Sequence, residues 1–143
     1  MAQVDKSVLV EYSALRMFEL VDNVEKYAEF LPWCGGSVCD YRDAQVTRAT
    51  LHIDYRGIRQ SFSTENAKTP PHLMQIQLIK GPFRHLEGSW RFTELGGAGC
   101  KVELSLRYEF SNRLLEKLVG PVFSYIANNM VDAFVKRAQS AYG

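Results

Sequence analysis

Apolar and polar positions alternate through most of the middle of the chain. Ala49, Leu51, Ile53 and Tyr55 share one face, as do Ile58 and Phe62, then Met74, Ile76 and Leu78, then Leu86, Trp90 and Phe92. The clearest run is Cys100, Val102, Leu104, Leu106, Tyr108 and Phe110, interleaved with Lys101, Glu103, Ser105, Arg107 and Glu109. One apolar face and one face of mixed charge predict a sheet with a single wet side. Turn signals at Arg56-Gly57, Pro70-Pro71, Gly81-Pro82 and Gly96-Gly97-Ala98-Gly99 separate the runs. Connections this short join antiparallel neighbours.

The two ends of the chain carry other patterns. Lys6 to Tyr12 predicts a first strand with Val8, Val10 and Tyr12 on one face. Ser13 is placed to cap a helix through Leu15, Phe18 and Val21. Asp22, with Glu25 three residues on, is placed to cap a second short helix carrying Tyr27, Phe30 and Leu31, which Pro32 ends. Gly35-Gly36 then reads as a break.

Ser111 or Asn112 caps the last element, which runs to Tyr142. Gly120-Pro121 interrupts it, either as a kink or as a fresh start with Pro121 in the first turn. Residues 121 to 142 alone would make a helix of about 33 Å. Val122, Phe123, Ile126, Met130, Ala133, Phe134 and Ala138 give it a wide apolar side, opposite Ser124, Asn128, Asp132, Lys136 and Gln139. Such a helix needs a broad partner, and the apolar sheet face is the one available. The expected fold class is α+β: a strand, two short helices, about six further strands and one long helix. No internal repeat or linker divides it, so one domain is expected over 1–143.

Composition narrows the class. The 143 residues are 46% hydrophobic and 23% charged, as in a globular chain. A net charge of +1 gives no global field toward nucleic acid, and DNA is not an expected partner. Residues Met1 to Lys6 lack the apolar core of a signal peptide, and no apolar run approaches the ~20 residues of a membrane span. Three cysteines, an odd number, point to reduced thiols and a cytoplasmic setting. The unusual feature is the aromatic content, 8 Phe, 7 Tyr and 2 Trp. Those rings either fill a core or line a space.

Several stretches resemble the coenzyme Q-binding START family of the polyketide cyclase-like superfamily. They are Glu11-Tyr12-Ser13 through Phe18-Glu19-Leu20-Val21, Tyr27 to Cys34, and Gly81-Pro82-Phe83-Arg84 with Leu86 and Trp90-Arg91-Phe92. Cys100-Lys101-Val102-Glu103 through Tyr108 to Asn112, and Ala133 to Ala138 with Tyr142-Gly143, complete the set. Ala28 stands where that family often has proline. The resemblance implies a helix-grip fold, a curved antiparallel sheet of about six to seven strands wrapped on the long C-terminal helix. It also implies a tunnel between the two.

The ligand implied is ubiquinone or a similar prenyl lipid, with no cofactor required. Members from respiring organisms bind ubiquinone and support electron transport. A bacterial branch consists of ribosome-association toxins that bind the large ribosomal subunit and block subunit joining. Other members are described as polyketide cyclases.

On that basis Phe30, Leu31 and Trp33, before the Gly-Gly pair, are expected as a mobile rim. Phe62, Phe83, Leu86, Trp90, Phe123, Ile126, Met130 and Phe134 are expected as walls. Gln60 and Thr64, on the face carrying Phe62, can hydrogen-bond a quinone carbonyl. Each ring has the competing reading of ordinary core. The expected function is binding of a hydrophobic isoprenoid, with transient contact to a membrane or respiratory complex at the inner membrane. Ribosome association is the alternative and cyclase chemistry a distant third.

No catalytic residue is assigned. His52, His72 and His85 show no metal spacing, and Cys34 and Cys39 lack a second pair, so no metal is expected. His52 and Asp54 alternate with Leu51 and Ile53 and are expected to point away from the tunnel. Arg84, Arg91, Lys101 and Arg107 are interleaved with Glu87, Glu103 and Glu109, the pattern of a salt-bridged surface rather than an RNA-binding patch.

Overall fold

A computed structural model describes residues 1–97 and 99–143. Ala98, in the Gly96–Gly99 turn, lies outside the described residues. The elements are β1 (Ala2–Val10), α1 (Ala14–Asp22), a 3-10 helix (Val24–Glu29), β2 (Cys34–Arg42), β3 (Val46–Tyr55) and β4 (Ile58–Thr69). β5 (Leu73–Lys80), β6 (Phe83–Glu94), β7 (Cys100–Phe110) and α2 (Arg113–Tyr142) follow. The strands form one antiparallel sheet in the order β1-β7-β6-β5-β4-β3-β2. Chain neighbours are sheet neighbours from β2 to β7, as hairpin connections dictate. The exception is β1, which pairs with β7, so α1 and the 3-10 helix carry the chain from one sheet edge to the other.

The period-two residues all reach the inner face. Leu51 stands opposite Phe62 and Ala49 opposite Thr64, while Trp90 faces Leu104 and Phe92 faces Val102. Irregular register at Cys34/Gly36, Cys39/Tyr41, Ser63/Thr64 and Phe83/His85 bends the strands. The concave face that results takes α2. Gly88 lets β6 and β7 approach, because a Cβ there would collide with the Ser105 carbonyl oxygen.

The helix starts follow the sequence. Ser13 Oγ accepts from Arg16 N at 3.2 Å, and Asn112 Oδ1 from Leu115 N at 2.9 Å. Five expectations are corrected. β1 begins at Ala2 and ends at Val10, because the β7 edge offers partners from Tyr108 to Cys100. Gly35-Gly36 does not break the chain: it lies within β2, where a Cβ on Gly35 would come within 2.8 Å of Asp54 Cβ.

Asp22 does not cap the second helix. Asn23 precedes that helix without a side-chain cap, and Asp22 ends α1 with its carboxylate committed elsewhere. The last helix is a single element of 30 residues, about 45 Å. No fresh start occurs at Pro121, which lies within the helix on its exposed side, so the Lys117 carbonyl left without an amide partner can turn to water. The buried side of α2 also takes in Val119, Ala127 and Val131, beyond the expected set.

Candidate functional site

Sheet and α2 do not close completely on each other. Between them lies a cavity of about 70 Å³. Phe123, Ile126, Ala127 and Met130 form its helix wall. Ala49 and Leu51 of β3, Phe62, Thr64 and Asn66 of β4, Ile76 of β5, Leu86 and Trp90 of β6, and Leu104 and Leu106 of β7 form the sheet wall. Val21, Val24 and Tyr27 close the end beside α1. The space takes a few waters and falls below the roughly 150 Å³ that admits one benzene ring. A ring-bearing ligand therefore requires α2 or its side chains to move outward.

The lining is apolar with one polar spot. Thr64 Oγ1 donates to Asn66 Oδ1 at 3.1 Å, and both residues are buried. Tyr27 adds a phenol, but its hydroxyl donates to the Val21 carbonyl, and burial pushes its ionisation far above the usual tyrosine range. Among the described residues no carboxylate, imidazole or ammonium lines the cavity.

Two aromatic clusters flank the space along α2. The Phe123 ring centroid is 4.7 Å from Tyr108, 4.9 Å from Phe83 and 6.0 Å from Phe62. Eleven residues on, about 16 Å along the helix, Phe134 lies 5.4 Å from both Tyr27 and Trp90 and 5.3 Å from Phe30. Most of these contacts are edge-to-face, the arrangement the ring quadrupole favours.

Of the residues expected from sequence, Phe62, Thr64, Leu86, Trp90, Phe123, Ile126 and Met130 line the cavity together. Phe83 and Phe134 stand one layer back, in the clusters on either side. Leu31 and Trp33, expected in a mobile rim, are core side chains at 2% and 3% exposure. Phe30 alone of that trio is half-buried, with the Arg137 guanidinium 5.0 Å from its ring. Gln60 faces inward opposite Ile53 but sits toward the sheet end, away from the cavity. Ten further residues line the cavity outside that expected set: Val21, Val24 and Tyr27 at the α1 end, Ala49, Leu51, Asn66, Ile76, Leu104 and Leu106 on the sheet, and Ala127 on the helix. Asn66 continues the period-two series of Phe62 and Thr64, so the signal was present.

A polar knot anchors the α1 end. Asp22 accepts from Thr47 Oγ1 at 2.7 Å and from Lys68 Nζ at 3.2 Å, and Arg42 Nε lies 3.5 Å away. The Lys68 side chain is only 4% exposed, so this ion pair is largely dry. Arg42 also binds both Glu25 oxygens at 2.7 Å and donates to the Asp22 carbonyl, satisfying the C-terminal end of α1. That two-pronged contact holds the Glu25 carboxyl at about 2 and raises Arg42 further above its usual range.

The convex face is interleaved charge, with Arg107–Glu87 at 3.8 Å and Lys101–Glu103 and Arg84–Glu109 at 3.9 Å. His52 Nδ1 meets Ser61 Oγ at 2.6 Å on that outer side, and Asp54 is half exposed. Cys34, Cys39 and Cys100 are free thiols, and burial pushes Cys100 up to about 11.

Residues 10–135 match the family described as "Polyketide cyclase / dehydrase and lipid transport". The chain is 44% identical over 144 residues to a Vibrio cholerae protein named "Ribosome association toxin RatA", covering all of this chain and 99% of that one. It is 30% identical over 142 residues to "Coenzyme Q-binding protein COQ10 homolog B, mitochondrial" of Xenopus laevis, covering 96% of this chain and 58% of that one. In fold it matches a START superfamily protein from Mycobacterium smegmatis at a TM-score of 0.76 and 20% identity, over 96% of this chain and 97% of the other. A curved seven-stranded sheet gripping one long helix, with a cavity between them, thus has both its sequence match and its fold match in the same place: this chain is a START-like, helix-grip member of the polyketide cyclase/dehydrase and lipid transport family.

Proposed function

We propose that this protein associates with the ribosome, in the manner for which its Vibrio cholerae relative is named. The observation that carries this reading is similarity at 44% identity running the full length of both chains. The interleaved ion pairs leave the convex face poor in free positive charge, so the reading does not rest on phosphate contacts from that face. Overexpression should deplete joined ribosomes in a sucrose gradient, and the protein should co-sediment with ribosomal particles. An unchanged profile together with no co-sedimentation would remove this role.

A second reading concerns the interior, and the cavity favours it. Apolar walls with a single hydroxyl–amide spot at Thr64 and Asn66 suit an apolar molecule carrying one hydrogen-bonding head, the chemistry of a prenyl quinone. The COQ10 relative supports that class. Binding rather than catalysis is the assigned role, since a cyclase needs an acid or base facing its substrate. On this reading the protein works in the cytoplasm and meets a membrane peripherally to exchange its ligand. Organic extraction of protein purified from its native host, followed by mass spectrometry, tests it. Recovery of no prenyl lipid from folded protein, with none taken up on addition, would sink the reading. The two roles use different parts of the molecule, one its surface and the other its interior.

A further inference from the structure

The outward face of α2 changes chemistry halfway along. Leu114, Leu118, Pro121 and Tyr125 fall within one narrow stripe at helical spacing. Leu114 is 66% exposed, Leu118 53% and Tyr125 42%. The same face continues as Asn128, Asn129, Asp132 and Lys136, an ordinary solvated strip. Water therefore accounts for the second half of this face and not for the first.

The apolar stripe has a cationic border. Arg113 and Lys117 flank it on the helix and are exposed. Arg84 donates to the Ser111 carbonyl at the helix start, and Arg56 lies 5.3 Å from the ring of Tyr55, which itself stacks on Tyr125. Against these four cations stand Glu116 on the helix and Glu109, 3.9 Å from Arg84.

We propose that this end of the molecule docks on an anionic phospholipid bilayer. Two aliphatic side chains one turn apart, with a tyrosine beyond them, sink into the boundary between headgroups and acyl chains, while the bordering arginines and lysine meet lipid phosphates. The helix lies on the surface and does not span it, because its opposite side is built into the core through Val119, Val122, Phe123 and Ile126. Leucines contribute little to an RNA contact, which draws on phosphate pairing and base stacking. The aliphatic character of the ridge therefore selects a bilayer over ribosomal RNA.

The test is co-sedimentation of the full chain with vesicles of equal phosphatidylglycerol and phosphatidylcholine, beside vesicles of phosphatidylcholine alone. Wild type should partition onto the anionic vesicles, more weakly onto the neutral ones, and less as salt rises. L114S/L118S should lower partitioning about tenfold or more, and R113E/K117E should remove the preference for anionic lipid. All four side chains are exposed, so circular dichroism and thermal melting should match wild type. Absence of wild-type binding to anionic vesicles, or binding that both variants leave intact, overturns the proposal. If L114S/L118S instead loses ribosome co-sedimentation and wild type ignores vesicles, the ridge is a ribosome contact and the bilayer proposal falls.

Discussion

Replacing Phe123 with alanine separates a packed wall from one beside open space. Phe123 is 3% exposed, and its ring touches Phe62, Phe83, Tyr108 and Phe110. Lost burial of a large side chain is worth about 1.5–3 kcal/mol. The hole left behind adds roughly 24 cal/mol per Å³ that the neighbours fail to fill. They have little freedom to fill it, since Phe83 and Phe110 are stacked at 5.0 Å and Tyr108 lies on β7, which is paired on both sides. Loss of several edge-to-face contacts puts the expected cost near the top of the usual Phe→Ala range, about 4–5 kcal/mol. For a chain of this length that lowers Tm by roughly 12–18 °C, read by urea denaturation and thermal melting. The hole would also merge with the 70 Å³ already present. Benzene or toluene should then raise the Tm of F123A and leave wild type unmoved. A loss below about 2 kcal/mol, with no rescue by benzene, would refute the reasoning and show a site whose walls collapse freely.

Three further outcomes are expected. Asp22→Ala should cost about 3–5 kcal/mol in urea melts, because it strands the buried Lys68 ammonium, whereas Thr47→Ala should cost only about 1 kcal/mol. Glu25 is held at about 2 against an ordinary 4.5, so its contribution is complete above pH 4.5 and lost as pH falls toward 2. With its side chain 45% exposed, that contribution is about 1 kcal/mol, and E25Q should flatten the stability–pH curve across this window. Gly88→Ala should cost about 3 kcal/mol or more, since its Cβ would collide with the Ser105 carbonyl and the Leu106 Cα, which are backbone atoms. A G88A melt within a degree of wild type would show that β6 and β7 separate more easily than their pairing suggests.

Most of the sheet was legible because a half-buried strand has only one way to hide its apolar set. The Cys100–Phe110 alternation predicts the inner face of β7, and His52 and Asp54 were placed outside by the same logic. The helical Gly120-Pro121 pair was ambiguous for a physical reason. Proline removes one hydrogen bond, and whether that breaks a helix depends on whether water reaches the freed carbonyl, which only the packing decides. Asp22 misled for another reason. Its spacing to Glu25 is local and suggests a cap, but its partners Thr47 and Lys68 lie 25 and 46 residues away. Likewise Leu31 and Trp33 read as a rim because glycines follow them. The structure uses those glycines for the close approach of β2 to β3.

Gln60 and Thr64 show where pattern reading stops. Both occupy the inner face by period two, and Asn66 extends the series, yet only Thr64 and Asn66 meet the cavity. Alternation fixes the face of a residue but not its distance along the strand from the gap, which depends on where α2 crosses. The same limit governs capacity. Two aromatic clusters about 16 Å apart on α2 hold the helix against the sheet at either end of a space too small for a ring. Admission of a quinone head must loosen at least one of them. Phe134 is the easier to release, because one of its partners, Phe30, is half-buried, while the rings around Phe123 are all buried. Ligand uptake should therefore perturb Phe30 and Phe134 before it perturbs Tyr108. Ring resonances of Tyr108 that shift first on titration with a short-chain quinone would reverse that order.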